Sequence, residues 1–368
     1  PNLLAGLLAV EARIVPRAVQ GLVRDLIGQR KAAVRAKAGE SDDVLVGANA
    51  VRARTPKLDQ DFLRFVIGGP GFESYVIPIT TGVNVPHISG KQILDYEFAL
   101  PPLPIQRRIA GILSAYDELI ENSQRRIKIL ESMARALYRE WFVHFRFPGH
   151  EAVPLVPSAL GEIPEGWEAL PLSQMIKLIG GGTPKKSEPA YWNGEICWFS
   201  VKDAPQDGSI FVIDTEDKIT EKALKNSPTK LLPIGTTIIT ARGTVGKLAL
   251  TGVLTAMNQS CYGIVGSDGT GSCLNYLRIH KAVDTLKKNS HGAVFDTITR
   301  ATFDTVLQPQ APLDLRQRFE EVVMCTFEAI KNNLRQSKTL SELRDTLLPK
   351  LLSGELTINA LTEPVGAA

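Results

Sequence analysis

Two glycine-rich segments with basic residues are the part of this sequence whose composition suggests a binding site. Gly180–Ser187 has the sequence GGGTPKKS, and Gly243–Lys247 has the sequence GTVGK. Neither matches the phosphate-binding loop GxxxxGK followed by Ser or Thr. Pro184 precedes the first lysine, and Ala241 and Leu248 occupy two motif positions of the second segment. The sequence therefore does not predict a nucleotide-hydrolysing site.

Two interpretations of these segments stay open. They are tight loops between strands, or they are loops that approach a nucleic-acid backbone, because small residues permit close contact. In the second case four basic side chains would bind phosphates: Lys185, Lys186, Arg242 and Lys247.

Asn258 and Gln259 form a pair of neighbouring carboxamides. Carboxamides recognise adenine through two hydrogen bonds in the major groove. They also cap turns, and a strand is predicted to begin directly after them at Cys261. Both roles stay open for this pair.

Two aromatic pairs lie near the first glycine-rich segment. Tyr191 and Trp192 follow its lysines, so exposure and contact with a ligand are expected there. Trp198 and Phe199 lie in an apolar run, which favours packing in the core.

No arrangement of residues in the sequence indicates catalysis. The five histidines form no cluster, the four cysteines form no CxxC pair, and no Ser/His/Asp order is present. Methyltransferase and nuclease signatures are absent as well. Charge is a weak guide, because the net charge is +3 and residues 154–312 carry fifteen basic and fifteen acidic side chains. A binding or scaffolding protein is the resulting interpretation.

Two long helices must position these segments. Between Leu103 and Val143 apolar residues recur at steps of three and four, which predicts a helix roughly 60 Å long with one apolar face. A helix of that length needs a partner helix. The same pattern returns at Asp314–Leu352, which is the predicted partner.

The two helices belong to an internal repeat with an offset of 210 residues. Gly82 aligns with Gly292, and Pro102 aligns with Pro312, without a gap between them. A period of this length indicates a duplicated unit of globular domain plus long helix.

Shorter elements are predicted from local patterns, with Gly and Pro marking their bounds. Strands are expected at Val44–Val46, Ile196–Val201, Ile210–Ile213, Thr236–Thr240, Lys247–Thr251 and Cys261–Val265. Helices are expected at Asp59–Ile67, Thr220–Lys225 and Leu274–Lys288, a turn at Gly68–Gly71, and an edge strand or loop at Tyr75–Val85.

With these features the sequence resembles the DNA-specificity subunits of type I restriction–modification systems. The resemblance covers about residues 82–358 and rests on motifs in a fixed order. They are Pro101–Gln106 (PPLPIQ), Ile163–Trp167 (IPEGW), 181–184 (GGTP), Tyr191–Gly194 (YWNG), 243–247 (GTVGK), Asn258-Gln259 and Leu347–Leu356 (LLPKLLSGEL).

The resemblance implies an α/β (mixed α+β) fold with two target-recognition domains. Each is followed by a long helix, and the helices pair as an antiparallel coiled coil. The expected segments are a partial or atypical first target-recognition domain at 1–102, a long helix at 103–147, a linker at 148–164, the second target-recognition domain at 165–312, a second long helix at 313–356, and a frayed tail at 357–368.

The resemblance also implies a function. Each recognition domain would bind one half of a split site in double-stranded DNA, and the helices would set the spacer. They would also dock two methyltransferase (M) subunits, and restriction (R) subunits would join. S-adenosylmethionine, ATP and Mg²⁺ would serve these partners, so a non-catalytic, cytoplasmic chain without cofactor, metal or membrane contact is expected.

The expected DNA contacts are Lys185, Lys186, Tyr191, Lys202, Arg242, Thr244, Lys247, Asn258 and Gln259, with basic side chains on phosphates and amides on bases.

The front of the sequence departs from this pattern. The repeat places the counterpart of Trp167 before residue 1, and residues 31–37 (KAAVRAK) replace the counterpart of 241–247 (ARGTVGK). We therefore expect a truncated or replaced first recognition domain, with residues 1–43 forming no proper half-domain. The alternative function is a degenerate coiled-coil scaffold that binds methyltransferase without full DNA recognition. An enzyme with an unrecognised site is a third, weaker alternative.

Overall fold

The structure is a computed structural model of the chain. It describes residues 44–46, 51–53, 56–79, 88–205, 209–267, 269–289, 297–353 and 355–356. The expectations for residues 1–43 and for the tail at 357–368 lie outside the described residues. The chain divides into two compact units: a terminal unit of residues 1–121 and 337–368, and a central unit of residues 122–336.

The terminal unit combines a strand pair with short helices and parts of two long ones. In chain order its first elements are β1 (Val44–Val46), β2 (Val51–Ala53), α1 (Gln60–Gly68), α2 (Pro70–Ile79), α3 (Gly90–Leu94) and α4 (Leu103–Phe142), which continues into the central unit. Helix α1 confirms the helix predicted over Asp59–Ile67. It begins after Asp59, whose carboxylate accepts hydrogen bonds from the backbone N–H groups of Asp61 and Phe62.

Helix α2 corrects the expectation of an edge strand or loop at Tyr75–Val85, of which residues 80–85 are not among those described. Pro70 opens the helix, where its fixed φ fits the first turn. Phe72 and Val76, one turn apart, are both buried. Pro78 lies in the last turn, where a missing N–H removes only one hydrogen bond. The prediction was wrong because it gave Pro78 and the alternating residues more weight than this helical spacing.

The central unit is rich in strands. In chain order it contains β3 (Leu155–Ser158), β4 (Gly161–Pro164), β5 (Glu168–Pro171), β6 (Ile176–Gly180), β7 (Trp192–Phe199), β8 (Phe211–Val212), β9 (Lys218–Ile219), α5 (Glu221–Asn226), β10 (Thr237–Thr240), β11 (Leu248–Thr251), β12 (Thr255–Met257), β13 (Cys261–Gly266), α6 (Ser272–Asn289), α7 (Arg300–Asp304), β14 (Leu307–Gln310) and α8 (Leu313–Ser353), which continues into the terminal unit. The main sheet has the order β6-β13-β10-β11-β8, and a smaller sheet has the order β12-β7-β9.

Most local predictions for this region are confirmed within one or two residues. The exception is β7, which begins at Trp192 instead of Ile196 and ends at Phe199, before a 3-10 turn at Val201–Asp203. The stretch 148–164, expected as a linker, holds the hairpin β3–β4 and buries Ile163. Pro154 precedes β3, Pro157 lies within it and Pro164 ends β4, and a missing N–H is tolerated in such a two-stranded hairpin.

The two long helices pack against each other in antiparallel directions within each unit. In the terminal unit Ile109 and Leu113 of α4 share a buried cluster with Leu348 and Leu351 of α8. In the central unit the rings of Tyr138 and Trp141 contact Phe319, with centroid distances of 6.3 and 5.3 Å. The beginning of α4 therefore meets the end of α8, and the end of α4 meets its beginning. This confirms the predicted helix pair.

The internal repeat extends further towards the N-terminus than the sequence match. Helices α3 and α7 are five residues each, offset by 210, and each starts with a capping box, from Ser89 to Gln92 and from Thr299 to Thr302. With the same offset, Asn289 at the end of α6 corresponds to Ile79 at the end of α2. The terminal unit thus retains counterparts of α6 and α7, although α1 and α2 are separated at Gly69 where α6 is continuous.

Candidate nucleic-acid interface

Three loops meet at one edge of the main sheet of the central unit. Strand β6 ends at Gly180, which pairs with Tyr262 at the start of β13. Strand β10 ends at Thr240, which pairs with Cys261, the first residue of β13. Since β10 and β11 form a hairpin, the connection between them lies at the same edge. Residues 181–187, 241–247 and 258–260 are called the loop edge below.

Gly181 and Gly182 are required because other backbone segments of this chain pack directly against them. A Cβ atom on Gly181 would lie 1.9 Å from the carbonyl oxygen of Asn258. The backbone N–H of Gly182 donates to the carbonyl oxygen of Met257 at 2.9 Å. The hydroxyl of Thr183 forms a hydrogen bond with the carboxamide of Gln259. The tight-loop interpretation is therefore confirmed for Gly181 and Gly182, and the contacts join this loop to 258–260.

The second loop is a hairpin connection held by Thr240. Its hydroxyl accepts a hydrogen bond from the backbone N–H of Lys247 at 2.9 Å and donates to the carbonyl oxygen of Thr244. Gly246 has a φ of +80°, a conformation that favours glycine. Arg242 and Thr244 are exposed at the tip of the hairpin. This arrangement presents one guanidinium group and one hydroxyl to solvent at the loop edge.

Lys247 differs from Arg242 in its surroundings. It is half-buried and lines an open cleft with Arg135 of α4 and with Tyr276 and His280 of α6. The hairpin therefore carries one exposed cation at its tip and one half-buried cation at its base, beside the helices of the same unit.

The neighbouring carboxamides of Asn258 and Gln259 have different surroundings. The side-chain oxygen of Asn258 accepts a hydrogen bond from the backbone N–H of Ser260 at 3.0 Å. The backbone N–H of Asn258 donates to the carbonyl oxygen of Phe199 at 2.9 Å. The turn-capping role is thus confirmed for Asn258. Gln259 is exposed at the top of that turn.

Two tryptophans bind the backbone of the first loop, which carries two lysines. Lys185 and Lys186 are exposed after the buried Pro184. The indole N–H of Trp192 donates to the carbonyl oxygen of Lys185 at 3.1 Å, and that of Trp198 donates to Gly182 at 3.1 Å. Their rings pack edge to face with 5.1 Å between centroids. Trp198 and Phe199 are buried, as predicted.

The two remaining predicted contacts, Tyr191 and Lys202, have partners within the protein. Tyr191 is half-buried, and the ammonium nitrogen of Lys222 lies 6.0 Å from its ring centroid. Lys202 is exposed in the turn after β7 and forms an ion pair with Glu216 at 3.7 Å. Lys222 is a basic group that sequence reasoning missed, because nothing local relates α5 to Tyr191. Thr183 was missed as a contact of Gln259 for the same reason.

Cys261, at the start of β13, is a buried thiol at this edge. Burial raises the pKa of the Cys261 thiol to about 12, with a further contribution from Asp203, so the thiol stays protonated at neutral pH. Among the described residues there is no cluster of three or more His, Cys, Asp or Glu side chains that could hold a metal ion. Nor does any helix in the described part of the chain have the length and hydropathy to span a membrane.

Known proteins share this organisation. A family model described as type I restriction modification DNA specificity domain matches residues 71–132 and 164–307, more than half of the chain. The specificity subunit of type I restriction enzyme MjaIX from Methanocaldococcus jannaschii is 27% identical over 311 residues, 82% of this chain and 70% of that protein. The specificity subunit of type I restriction enzyme HindI from Haemophilus influenzae is 22% identical over 329 residues, 74% of this chain and 71% of that protein.

The fold has a solved counterpart. The S subunit of a type I restriction–modification system from M. genitalium aligns with 82% of this chain and 75% of its own, with a TM-score of 0.51 and 15% identity. The first matched segment covers α2, α3 and most of α4, and the second runs from β5 to α7 of the central unit. The chain belongs to the family of the type I restriction modification DNA specificity domain.

Proposed function

We propose that the central unit binds one half of a split site in double-stranded DNA through the loop edge. The observation that carries this proposal is the meeting of three loops, distant in sequence, that expose cations and an amide at one edge of a sheet. Lys185, Lys186 and Arg242 are exposed there, and Gln259 stands beside Thr183. Cations fix a protein on the phosphates, and amides distinguish bases.

The nine expected contacts then take different roles. Lys185, Lys186, Arg242 and Lys247 bind phosphates, and Lys202 contributes less because Glu216 neutralises it. Thr244 and Tyr191 contact sugar and phosphate at the edges of the site. Gln259 recognises a base, and Asn258 holds the turn that presents Gln259. This chain itself catalyses no reaction.

We further propose that the long helices hold partner proteins. Two methyltransferase subunits bind the helix pair, and restriction subunits join the complex; S-adenosylmethionine, ATP and Mg²⁺ are used by these partners. Exposed apolar side chains on α4 support a binding surface, since Ile129 and Met133, one turn apart in the central unit, are 61% and 57% exposed.

The test is selection of DNA by the purified complex of this chain with its methyltransferase subunit. A pool of random duplexes is bound, recovered and sequenced. We expect enrichment of two short fixed sequences with a spacer of fixed length and free composition. A stable complex that selects no sequence would contradict the proposal and favour the scaffold without full DNA recognition.

A further inference from the structure

The first turns of α8 hold the start of α6 in the central unit. The carboxylate of Glu320 accepts hydrogen bonds from the backbone N–H groups of Cys273 and Leu274, at 2.9 and 2.8 Å. These N–H groups belong to the first turn of α6 and have no partner within that helix. Gly271 leaves room for the contact, because a Cβ atom there would lie 2.1 Å from Glu320 Cδ.

Arg316 makes a second attachment one turn earlier on α8. Its side chain is buried, at 6% exposure. Its Nε donates to the carbonyl oxygen of Ala311 at 3.0 Å, and its Nη1 donates to the hydroxyl of Thr270 at 2.6 Å. Arg316 and Glu320, one turn apart on α8, therefore bind Thr270 before α6 and the first turn of α6.

The terminal unit has an attachment at the equivalent helix position. Gln106 lies 210 residues before Arg316 and is fully buried. Its Nε2 donates to the carbonyl oxygens of Pro101, the counterpart of Ala311, at 2.7 Å and of Lys57 at 2.8 Å. Its Oε1 accepts from the backbone N–H of Asp59, the residue that caps α1, at 2.8 Å.

The two units thus use different side chains for the same connection. In the terminal unit the carboxamide of Gln106 joins α4 to the backbone of Lys57 and Asp59 at the start of α1. In the central unit the side chains of Arg316 and Glu320 join α8 to the hydroxyl of Thr270 and to the backbone of the first turn of α6. A requirement for core packing alone would be met by apolar residues at this position. The shared feature is a polar attachment between each long helix and the globular part of its own unit.

We propose that Arg316 and Glu320 are positioning residues that determine which spacer length between half-sites the protein accepts. This rests on the function proposed above. One base pair corresponds to about 3.4 Å along the duplex axis. A recognition domain that can tilt on its helix by a few ångströms at the loop edge would therefore accept a spacer one base pair too long or too short.

The experiment uses the full chain in complex with its methyltransferase subunit. Methylation rates are compared on duplexes with the selected spacer and with spacers one base pair longer or shorter. Arg316→Ala and Glu320→Gln should each reduce the preference for the selected spacer by about tenfold, comparable to the effect of one mismatched base pair. Binding to a duplex that carries only the half-site of the central unit should change less than about twofold, since none of its proposed contacts is altered.

Arg316→Gln installs the amide found at Gln106 and should keep most of the spacer preference. Glu328→Gln removes an exposed carboxylate from the same helix and should keep it entirely. An unchanged spacer preference in both Arg316→Ala and Glu320→Gln would overturn the proposal. So would a parallel loss of half-site binding, which indicates a purely structural role. A wild-type complex without any preferred sequence would instead refute the proposed function.

Discussion

The carboxylate of Asp117 on α4 lies 2.6 Å from the guanidinium group of Arg344 on α8, although the two residues are 227 positions apart in the sequence. Its other oxygen accepts a hydrogen bond from Arg64 of α1 at 3.1 Å. One half-buried acid thus joins three helices of the terminal unit and connects α4 to α8 where they pack in antiparallel directions.

Replacing Asp117 should destabilise the terminal unit. Asp117→Asn removes the charge between two arginines and leaves both guanidinium groups facing each other. We expect the free energy of unfolding to fall by about 1–3 kcal/mol, the usual cost of breaking a partly buried, charge-assisted hydrogen-bond pair. Urea unfolding followed by circular dichroism measures this. Asp345→Asn is the matched control, because Asp345 also contacts Arg344 but is 54% exposed and should cost less than about 1 kcal/mol. Equal effects of the two variants would show that Asp117 stabilises the terminal unit no more than the exposed Asp345 does.

Glu131 should make the stability of the central unit depend on pH. It is buried on α4, and burial raises the pKa of its carboxyl to about 7, against the opposing effects of Arg135, the Ile210 backbone and Lys128. The folded state therefore binds a proton more tightly than the unfolded state does. The stability contributed by this proton is fully present below about pH 4.5 and is lost as pH rises to about 7. Over that range the free energy of unfolding falls by at most about 1.4 kcal/mol per pH unit.

Glu131→Gln should remove that slope. Thermal unfolding of both proteins between pH 4.5 and 8 gives the comparison. The free energy of unfolding of Glu131→Gln, relative to that of the wild type, should increase as pH rises. Parallel curves for the two proteins would mean that Glu131 titrates normally in the folded state.

The cations of the hairpin connection should control DNA affinity without controlling the sequence selected. Arg242→Ala with Lys247→Ala removes two proposed phosphate contacts. We expect weaker binding to all duplexes and a salt dependence whose slope falls by about 2, because each contact contributes about 0.9. Gel shifts at several salt concentrations measure both quantities. Lys177→Ala, an exposed cation near the other end of β6, is the control and should leave the slope unchanged. If the double variant binds like the wild type, the loop edge is not the DNA interface.

Substitution of Asn258 should affect stability, whereas substitution of Gln259 should affect sequence specificity. Asn258→Ala removes the cap on Ser260 and should lower the free energy of unfolding by about 1 kcal/mol. Gln259→Ala should leave stability nearly unchanged but reduce discrimination at one base pair by about 1–3 kcal/mol. Unfolding curves and competition binding with single-substitution duplexes test the pair. Full discrimination retained by Gln259→Ala would remove this side chain from base recognition.

The long helices were predictable from sequence because their spacing is regular over forty residues and repeats at a fixed offset. Helix α2 was missed because ten residues with a proline near the end carry little periodic signal. The hairpin β3–β4 was missed because the prolines in and beside its strands are typical of a linker.

The loop edge could be predicted only in parts. Each loop stands out by composition, but their meeting depends on β13 pairing with both β6 and β10, a contact between strands about 80 residues apart in the first case. No local pattern encodes that pairing. The same limit applies to Glu320, which is an ordinary surface acid in sequence and a helix cap in the structure.

The central claim is that this chain selects the DNA sequence at which its complex acts. The most direct measurement is a map of methylated bases in the genome of a host that carries this chain with its methyltransferase subunit, compared with a host that carries the methyltransferase subunit alone. The account predicts that one split motif, with two fixed halves and a constant spacer, is methylated only when this chain is present. Identical methylation maps from the two hosts, with both proteins expressed, would contradict it.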